Sequence, residues 1–439
     1  MEQRQEVEAI IRKQLEKKKS IVQSLLAAGA KQQKGLIHTA DYKGGFIISY
    51  KESRNTLLPR NELEFSNVDE LKSVVGNADE MFEKQYMTYE QEELDVWEKP
   101  DTVKREELNY KEVSLLCKAM QQYIYGNSKR VESYREAINH IYFPMKVNVF
   151  LAEDVYVSAD SPLIVEGDEE IMTAVVFHRV QFEERARQIN SGMVDITADE
   201  YINGATELSA GALFCSQGRD ADHVTTVPQE APQGVAGDNG KSGDTNKNSC
   251  AVSATNGSTG NPGITGTDGD PAGNGGIGAI AQWTAEKIEG TYNVFSGGGN
   301  GGNGGKGGKG GKGGTGGNSA SQNGHCGASN AGNGGKGGKG GNGGKGGDGG
   351  NGGKIVIKYC STASAPVFNT LTVKQAQEDY GLSTGAAGIG GEAGEGGDPG
   401  NPGSNANGGN AGSAGVRGDS GSRGETGKVG VPGDIIISG

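Results

Sequence analysis

The sequence predicts a multi-domain protein in two parts. The first is an α+β module, helical and then built of short β-strands in a solenoid-like layer; the second is a C-terminal bundle of about six polyglycine-II helices. Three observations carry this reading. Gly supplies 78 of 439 residues and is concentrated in the second half. There it recurs with a period of three, as in "GGNGGKGGKGGKGGTGGN" (301–318). Before residue 230 the composition is that of an ordinary cored domain. The boundaries follow: 1–144 a mainly helical attachment or assembly module, 145–215 a β-rich layer, 216–233 a linker, and 234–439 the glycine-rich part.

The elements are read in order. Val7, Ile10, Ile11, Leu15, Val22, Leu25 and Leu26 fall near one face of a 3.6-residue repeat, which predicts an amphipathic helix docked on a domain. "GLIHTADYKGGFIISYKES" predicts a hairpin turning at Gly44 and Gly45. Acidic helical segments run from about Asn67 to Ile141 and stop at Pro144. Beyond it, β-branched alternation returns every eight to twelve residues, and "VYVSADSPLIVEG" and "MVDITADEYING" look like successive rungs of a solenoid.

A three-residue period matches polyproline-II geometry, with about 3.1 Å rise per residue and no internal hydrogen bonds. Every backbone N–H and C=O then needs an outside partner. With only 12 Pro and short tracts, a collagen triple helix does not fit. One chain folding its own tracts side by side does. The spelling Gly-X-Y clears one face and X-Gly-Gly clears two, so the tracts from Asn300 and Asn333 are expected in the interior.

"GGNGGKGGKGGKGGTGG" and "GGKGGKGGNGGKGGDGGNGGKIVIKY" resemble the glycine-rich domain of T-even-like phage tail-fibre adhesins. They are also similar to the glycine-rich domain of Obg-type GTPases and to springtail antifreeze proteins. The resemblance covers residues 234–439 and implies an architecture; residues 1–230 match no family by eye. An Obg-type protein requires a P-loop, and "GVAGDNGKSG" has Gly234 one residue too far from Lys241 for that motif. Ice binding favours Thr, Ala or Val faces, whereas Asn, Lys and Asp decorate these tracts.

Candidate sites are few. Aromatic residues in the glycine-rich half cluster in connections between tracts: Trp283, Tyr292 and Phe295 in one, Tyr359, Phe368 and Tyr380 in another. Exposed, they would form a receptor-binding platform for a cell-surface protein or glycan; buried, they would close an apolar seam. A third connection, "SASQNGHCGASNA", is a display loop without them. Lys306, Lys309 and Lys312 recur every three residues and would form a ladder for an anionic ligand, or simply a soluble edge; Lys336, Lys339 and Lys345 would form another. No catalytic motif, metal set or cofactor motif stands out. His325 beside Cys326 is read as an exposed turn, and one or two disulfides between late loops are left open.

The net charge of −13 falls mainly on the first part and tells against nucleic acid as a partner. No window suggests a transmembrane helix or a classical signal peptide. The expected function is a non-enzymatic, adhesin-like surface-recognition protein, attached to a carrier or complex subunit through its N-terminal module. The alternatives are a structural scaffold, or a toxin or effector acting through residues 1–230.

Overall fold

The computed structural model describes residues 2–51, 53–54, 58–88, 93–100, 102–167, 172–226, 228–278, 280–360, 365–382, 385, 387–393, 395–396, 404 and 409–439. Its framework is a pair of facing sheets between which the chain alternates. Sheet A, eight-stranded, contains β1 (Gln33–His38), β3 (Arg60–Phe65), β4 (Met145–Val157), β6 (Thr173–Phe182), β8 (Val194–Asn203), β12 (Ile280–Glu289), β14 (Lys354–Tyr359) and β16 (Asp434–Ser438). Sheet B, six-stranded, contains β2 (Phe46–Ser49), β5 (Leu163–Glu166), β7 (Arg187–Ser191), β9 (Ala212–Gln217), β13 (Thr291–Gly297) and β15 (Val367–Thr370). Within both sheets the pairing is parallel, except that β3 runs antiparallel to β4. A small hairpin, β10 (Asp244–Thr245) with β11 (Cys250–Val252), stands apart.

The register is flush from rung to rung. Val175, Ile196, Trp283, Ile357 and Ile437 follow one another across β6, β8, β12, β14 and β16. Like side chains therefore stack in columns, and alternate residues of each strand point between the sheets. That interior holds Phe150, Phe177, Tyr201, Phe214, Trp283 and Tyr292. The outer face of sheet A carries the helices α1 (Glu2–Ala27), α2 (Val68–Val75), α3 (Asp79–Glu83), α4 (Tyr110–Tyr125) and α5 (Arg135–Tyr142). On the outer face of sheet B, α6 (Val373–Tyr380) packs Ala376 and Tyr380 near Cys215 and Phe295. Helices thus cover much of both outer faces, and the central strands β4, β6, β8, β12 and β13 are largely buried.

This corrects the predicted fold class. The chain is a mostly parallel α/β fold with two large sheets and few helices, not an α+β module followed by a bundle of polyglycine-II helices. Strands β12 to β16 come from the glycine-rich half and complete sheets begun near residue 33. The expected hairpin at Gly44 and Gly45 is corrected as well: β1 pairs with β4 and β2 with β5, so these glycines, at φ 87° and 112°, turn the chain from one sheet to the other.

The glycine tracts are long excursions from the rungs. The first (218–243) leaves β9 and the second (253–278) returns into β12; the third (298–318) leaves β13 and the fourth (330–353) returns into β14. The fifth (387–396 as described) leaves after α6 and the sixth (409–433) returns into β16. Outgoing tracts lie beside one another, as do incoming ones, so the two-layer order of the sheets is continued.

The glycine N–H groups of the interior tracts alternate between two kinds of acceptor. In the fourth, Gly340 donates to Asp419 O of the next rung (2.8 Å) and Gly341 to Gly308 O of the opposite layer (2.9 Å). Asn342 N donates to the Asp268 carboxylate of the preceding rung (2.6 Å), and Asn342 Oδ1 accepts from Ser422 N (2.9 Å). Asn and Asp are thus chosen to cap outward N–H groups: Asn303, Asn318, Asn330, Asn333, Asp348 and Asn351 do the same.

Of the expected linker 216–233, Ser216 and Gln217 end β9 and the described residues from 218 onward behave as tract, with Gly218, Ala221, Val224 and Ala231 donating to Gly297, Asn300, Asn303 and Lys309. Glycine is not needed on this outer tract at every step, which hides the period there.

A Cβ on Gly341 would lie 1.9 Å from Thr267 O, a backbone atom that cannot move aside. Gly341→Ala is expected to destabilise the fold by about 3 kcal/mol. Lys339→Ala, on the exposed side of the same tract, should leave the melting temperature within a degree or so. Thermal unfolding of the two variants checks the difference.

Candidate functional site

The aromatic platform is not on the surface. Trp283 on β12 is fully buried, with its ring 5.0 Å from that of Phe214, which lies 4.7 Å from Tyr292. Phe295 is buried on the other face of sheet B, beneath α6. Tyr380 is buried there too and donates its hydroxyl to Gly211 O at 3.1 Å. Tyr359 is buried and Phe368 partly so, with ring centroids 5.8 Å apart. The connections that carry these residues are β12 followed by β13, and β14 followed by β15 and α6, at the base of the tracts. All six are therefore core residues of the two sheets.

Trp283→Ala should cost about 3–5 kcal/mol of stability. Because the indole N–H has no acceptor among the described residues, Trp283→Phe should cost far less. Chemical denaturation of both variants tests this.

The lysines do line the outer faces of interior tracts, but acidic residues on neighbouring tracts accompany them. Lys306 lies 3.5 Å from Glu392, Lys309 3.6 Å from Glu230 and Lys336 3.1 Å from Asp419; Lys345 lies 4.0 Å from Asp348 within its own tract. Lys312 and Lys339 share these rows. The pattern is a mixed-charge surface rather than an isolated positive ladder. The P-loop-like stretch is likewise ordinary tract: Gly234 N and Gly240 N donate to Lys312 O and Asn318 O, leaving neither N–H for a phosphate.

The far end of the tracts is built differently. The turn of the β10–β11 hairpin is closed by Asn246, whose Oδ1 accepts from Ser249 N (2.8 Å) and Ser249 Oγ (2.9 Å) while its N donates to Ser249 O. Between the third and fourth tracts, Asn323 and Cys326 exchange backbone hydrogen bonds around Gly324, at φ 57°. The two turns are joined by a Cys250–Cys326 disulfide and by Asn323 Nδ2 donating to Gly243 O (2.8 Å). Lys247, Asn248, Gln322 and His325 stand exposed on this braced tip. With Cys326 in a disulfide, a His325–Cys326 metal pair does not form. Among the described residues no group of three or more His, Cys, Asp or Glu could hold a metal ion.

A second polar cluster lies under α1, on the outer face of sheet A. Lys18 Nζ binds the Asp195 carboxylate (2.8 Å) and Thr197 Oγ1 (3.0 Å), and Gln282 Nε2 donates to Asp195 Oδ1 (3.0 Å). Lys358 Nζ donates to Gln14 Oε1 (3.0 Å) and Gly76 O (3.3 Å). An apolar cavity of about 40 Å³, bounded by Ile21, Val22, Leu25, Val147 and Val149, closes on Lys18 and Asp195. Complete burial, with Lys18 and Lys72 nearby, pushes the Lys358 ammonium well below its ordinary range. Nearby, burial also lowers the Lys72 value, opposed by Asp79 at 3.1 Å. The cluster fastens α1 to the sheet. The buried Cys215 and Cys360 thiols are pushed up by burial to about 12 and about 11, which keeps them protonated and unreactive.

The aromatic residues misled because tryptophan between two glycine tracts looks like an exposed loop. The strand partners that bury it lie far away in sequence. The tip could have been found from the Asn-rich turns in "DTNKNSC" and "SQNGHC". No family model, curated protein or solved structure matches the chain.

Lys358 binds fewer protons folded than unfolded, so its contribution to stability rises with pH between its lowered value and 10.5, and is lost as pH falls through that lowered value. Lys358→Met should therefore flatten the rise in urea midpoint on the approach to pH 10.5, as equilibrium unfolding over a series of pH values would register.

Proposed function

We propose that this protein is a non-enzymatic surface-recognition protein that presents a polar tip at the end of a stiff double layer of glycine tracts. The observation that carries this reading is the braced tip. Along the tracts, side chains cap backbone N–H groups or meet opposite charges. At the tip, Lys247, Asn248, Gln322 and His325 stay exposed on turns held by a disulfide and by Asn hydrogen bonds. Amides and a cation on held turns suit a hydroxyl-rich ligand, and pre-ordering the backbone that carries them lowers the entropic cost of binding. The ligand class proposed is a cell-surface glycan. A disulfide at an outer tip persists where conditions are oxidising, in keeping with a surface role. The helical layer on sheet A, at the opposite end from the tip, is then the part that attaches to a carrier or complex subunit.

The test is a glycan array probed with the full-length protein and with the triple variant Lys247→Ala, Asn248→Ala, Gln322→Ala. Asn246 is kept because it holds the turn. The expected result is binding to a restricted set of glycans, weakened at least about 10-fold in the variant at unchanged melting temperature. A silent array, or binding indifferent to the three substitutions, overturns the reading.

A further inference from the structure

The two ends of the stack of rungs are finished differently. At the start, sheet A is bordered along β4 by the parallel β1 and by β3, an antiparallel strand with Arg60, Glu62 and Glu64, and charge on an edge strand discourages further pairing. At the finish, β16 has the sequence Asp-Ile-Ile-Ile-Ser, with β14 on one side and, among the described residues, no strand on the other. Ile437 is 39% exposed there, and Val367 of β15, the last strand of sheet B, is 50% exposed. The sixth tract extends this end. The N–H groups of Arg417, Ser420, Arg423, Thr426 and Val429 occupy the step that donates to the next rung in the fourth tract. Among the described residues they meet no acceptor. An open sheet end of this kind is ordinarily blunted by polar or charged side chains, and this one presents Val429, Ile437 and Val367 instead.

We propose that a second copy of this chain covers this end, related by a two-fold axis parallel to the tracts. Such an axis sets β16 against the partner's β15 and the sixth tract against the partner's fifth. The two layers run in opposite directions, so both contacts are antiparallel and can exchange backbone hydrogen bonds. Charge selects this occupant. The sixth tract carries exposed Arg417 and Arg423, and the fifth carries exposed Glu392 and Glu395; within one copy Arg417 already meets Glu395 at 3.8 Å and Glu392 meets Lys306 at 3.5 Å, whereas Arg423 has no ion pair among the described residues. The hydrogen bonds from Gly424 to Gly391 and from Gly427 to Gly388 place Arg423 level with Glu392. The axis preserves levels along the tracts, so each Arg423 meets the partner's Glu392. The same end of a single copy is thus complementary to itself, which is what a two-fold contact needs.

Sedimentation velocity on the full chain up to about 100 µM tests this. The expected species is a dimer of the 45.4 kDa chain. Val429→Lys, on an exposed position outside the core, should leave a folded monomer. Arg423→Glu should weaken the dimer at least about 10-fold, and adding Glu392→Arg should restore it. A monomer throughout the range, including one whose end is covered by a different protein, overturns the proposal. So does a dimer indifferent to Val429→Lys and Arg423→Glu, or a double charge reversal that fails to recover association.

Discussion

The backbone N–H groups of the glycine tracts impose the constraint on which the rest of the molecule depends. A tract with no internal hydrogen bonds exposes three directions of donors per turn, and each must be answered or the tract is less stable than hydrated coil. Gly340, Gly341 and Asn342 show the full answer: next rung, opposite layer, preceding rung. Removing two side chains in three permits the close approach. The third position is free for chemistry, and Asn occupies it because an amide oxygen can reach the outward N–H of the following rung. Glycine here is a packing residue, selected by carbonyl oxygens that leave no space for a methyl group.

Such a lattice has little to define its own register, since one three-residue step looks like the next. The sheets supply that definition. Parallel strands stack at about 4.7–4.9 Å, and columns such as Val175, Ile196, Trp283, Ile357 and Ile437 lock each rung through shape. A slip of one residue would turn Trp283 out of the core. Each glycine excursion starts and ends on a strand so fixed, and Asn342 meets Ser422 across 80 residues because β14 and β16 have already set the phase. The disulfide between Cys250 and Cys326 holds the opposite end, where no hydrophobic core reaches.

The helical layer follows the same logic in reverse. It is held by apolar packing of Leu71, Met120, Ile124 and Ile138 on sheet A, and by buried polar contacts of Lys18, Gln14 and Lys358. A buried ion pair adds little net stability against an apolar equivalent but is costly to leave half-made. The Lys18–Asp195 contact therefore specifies where α1 sits more than it strengthens the attachment.

The sequence by itself determined local matters: the amphipathic α1, the break near Pro144, the presence of strands after it and the three-residue glycine period. Each is written in neighbouring residues. It also distinguished crowded from open positions, since the X-Gly-Gly spelling of the third and fourth tracts marks chains with neighbours on both sides. What only the tertiary structure decided was non-local. "KIVIKY" and "DIIISG" do not say that they extend a sheet begun by "QKGLIH", and parallel pairing leaves no turn signature between partners. Hence Trp283 and Tyr292 looked like loop residues, although flanking rungs bury them. The tip was visible as Asn-rich turns, but its importance rests on the meeting of Cys250 with Cys326 across 76 residues. A chain reports the period of its own backbone, whereas the identity of its neighbours is fixed only when distant strands share one core.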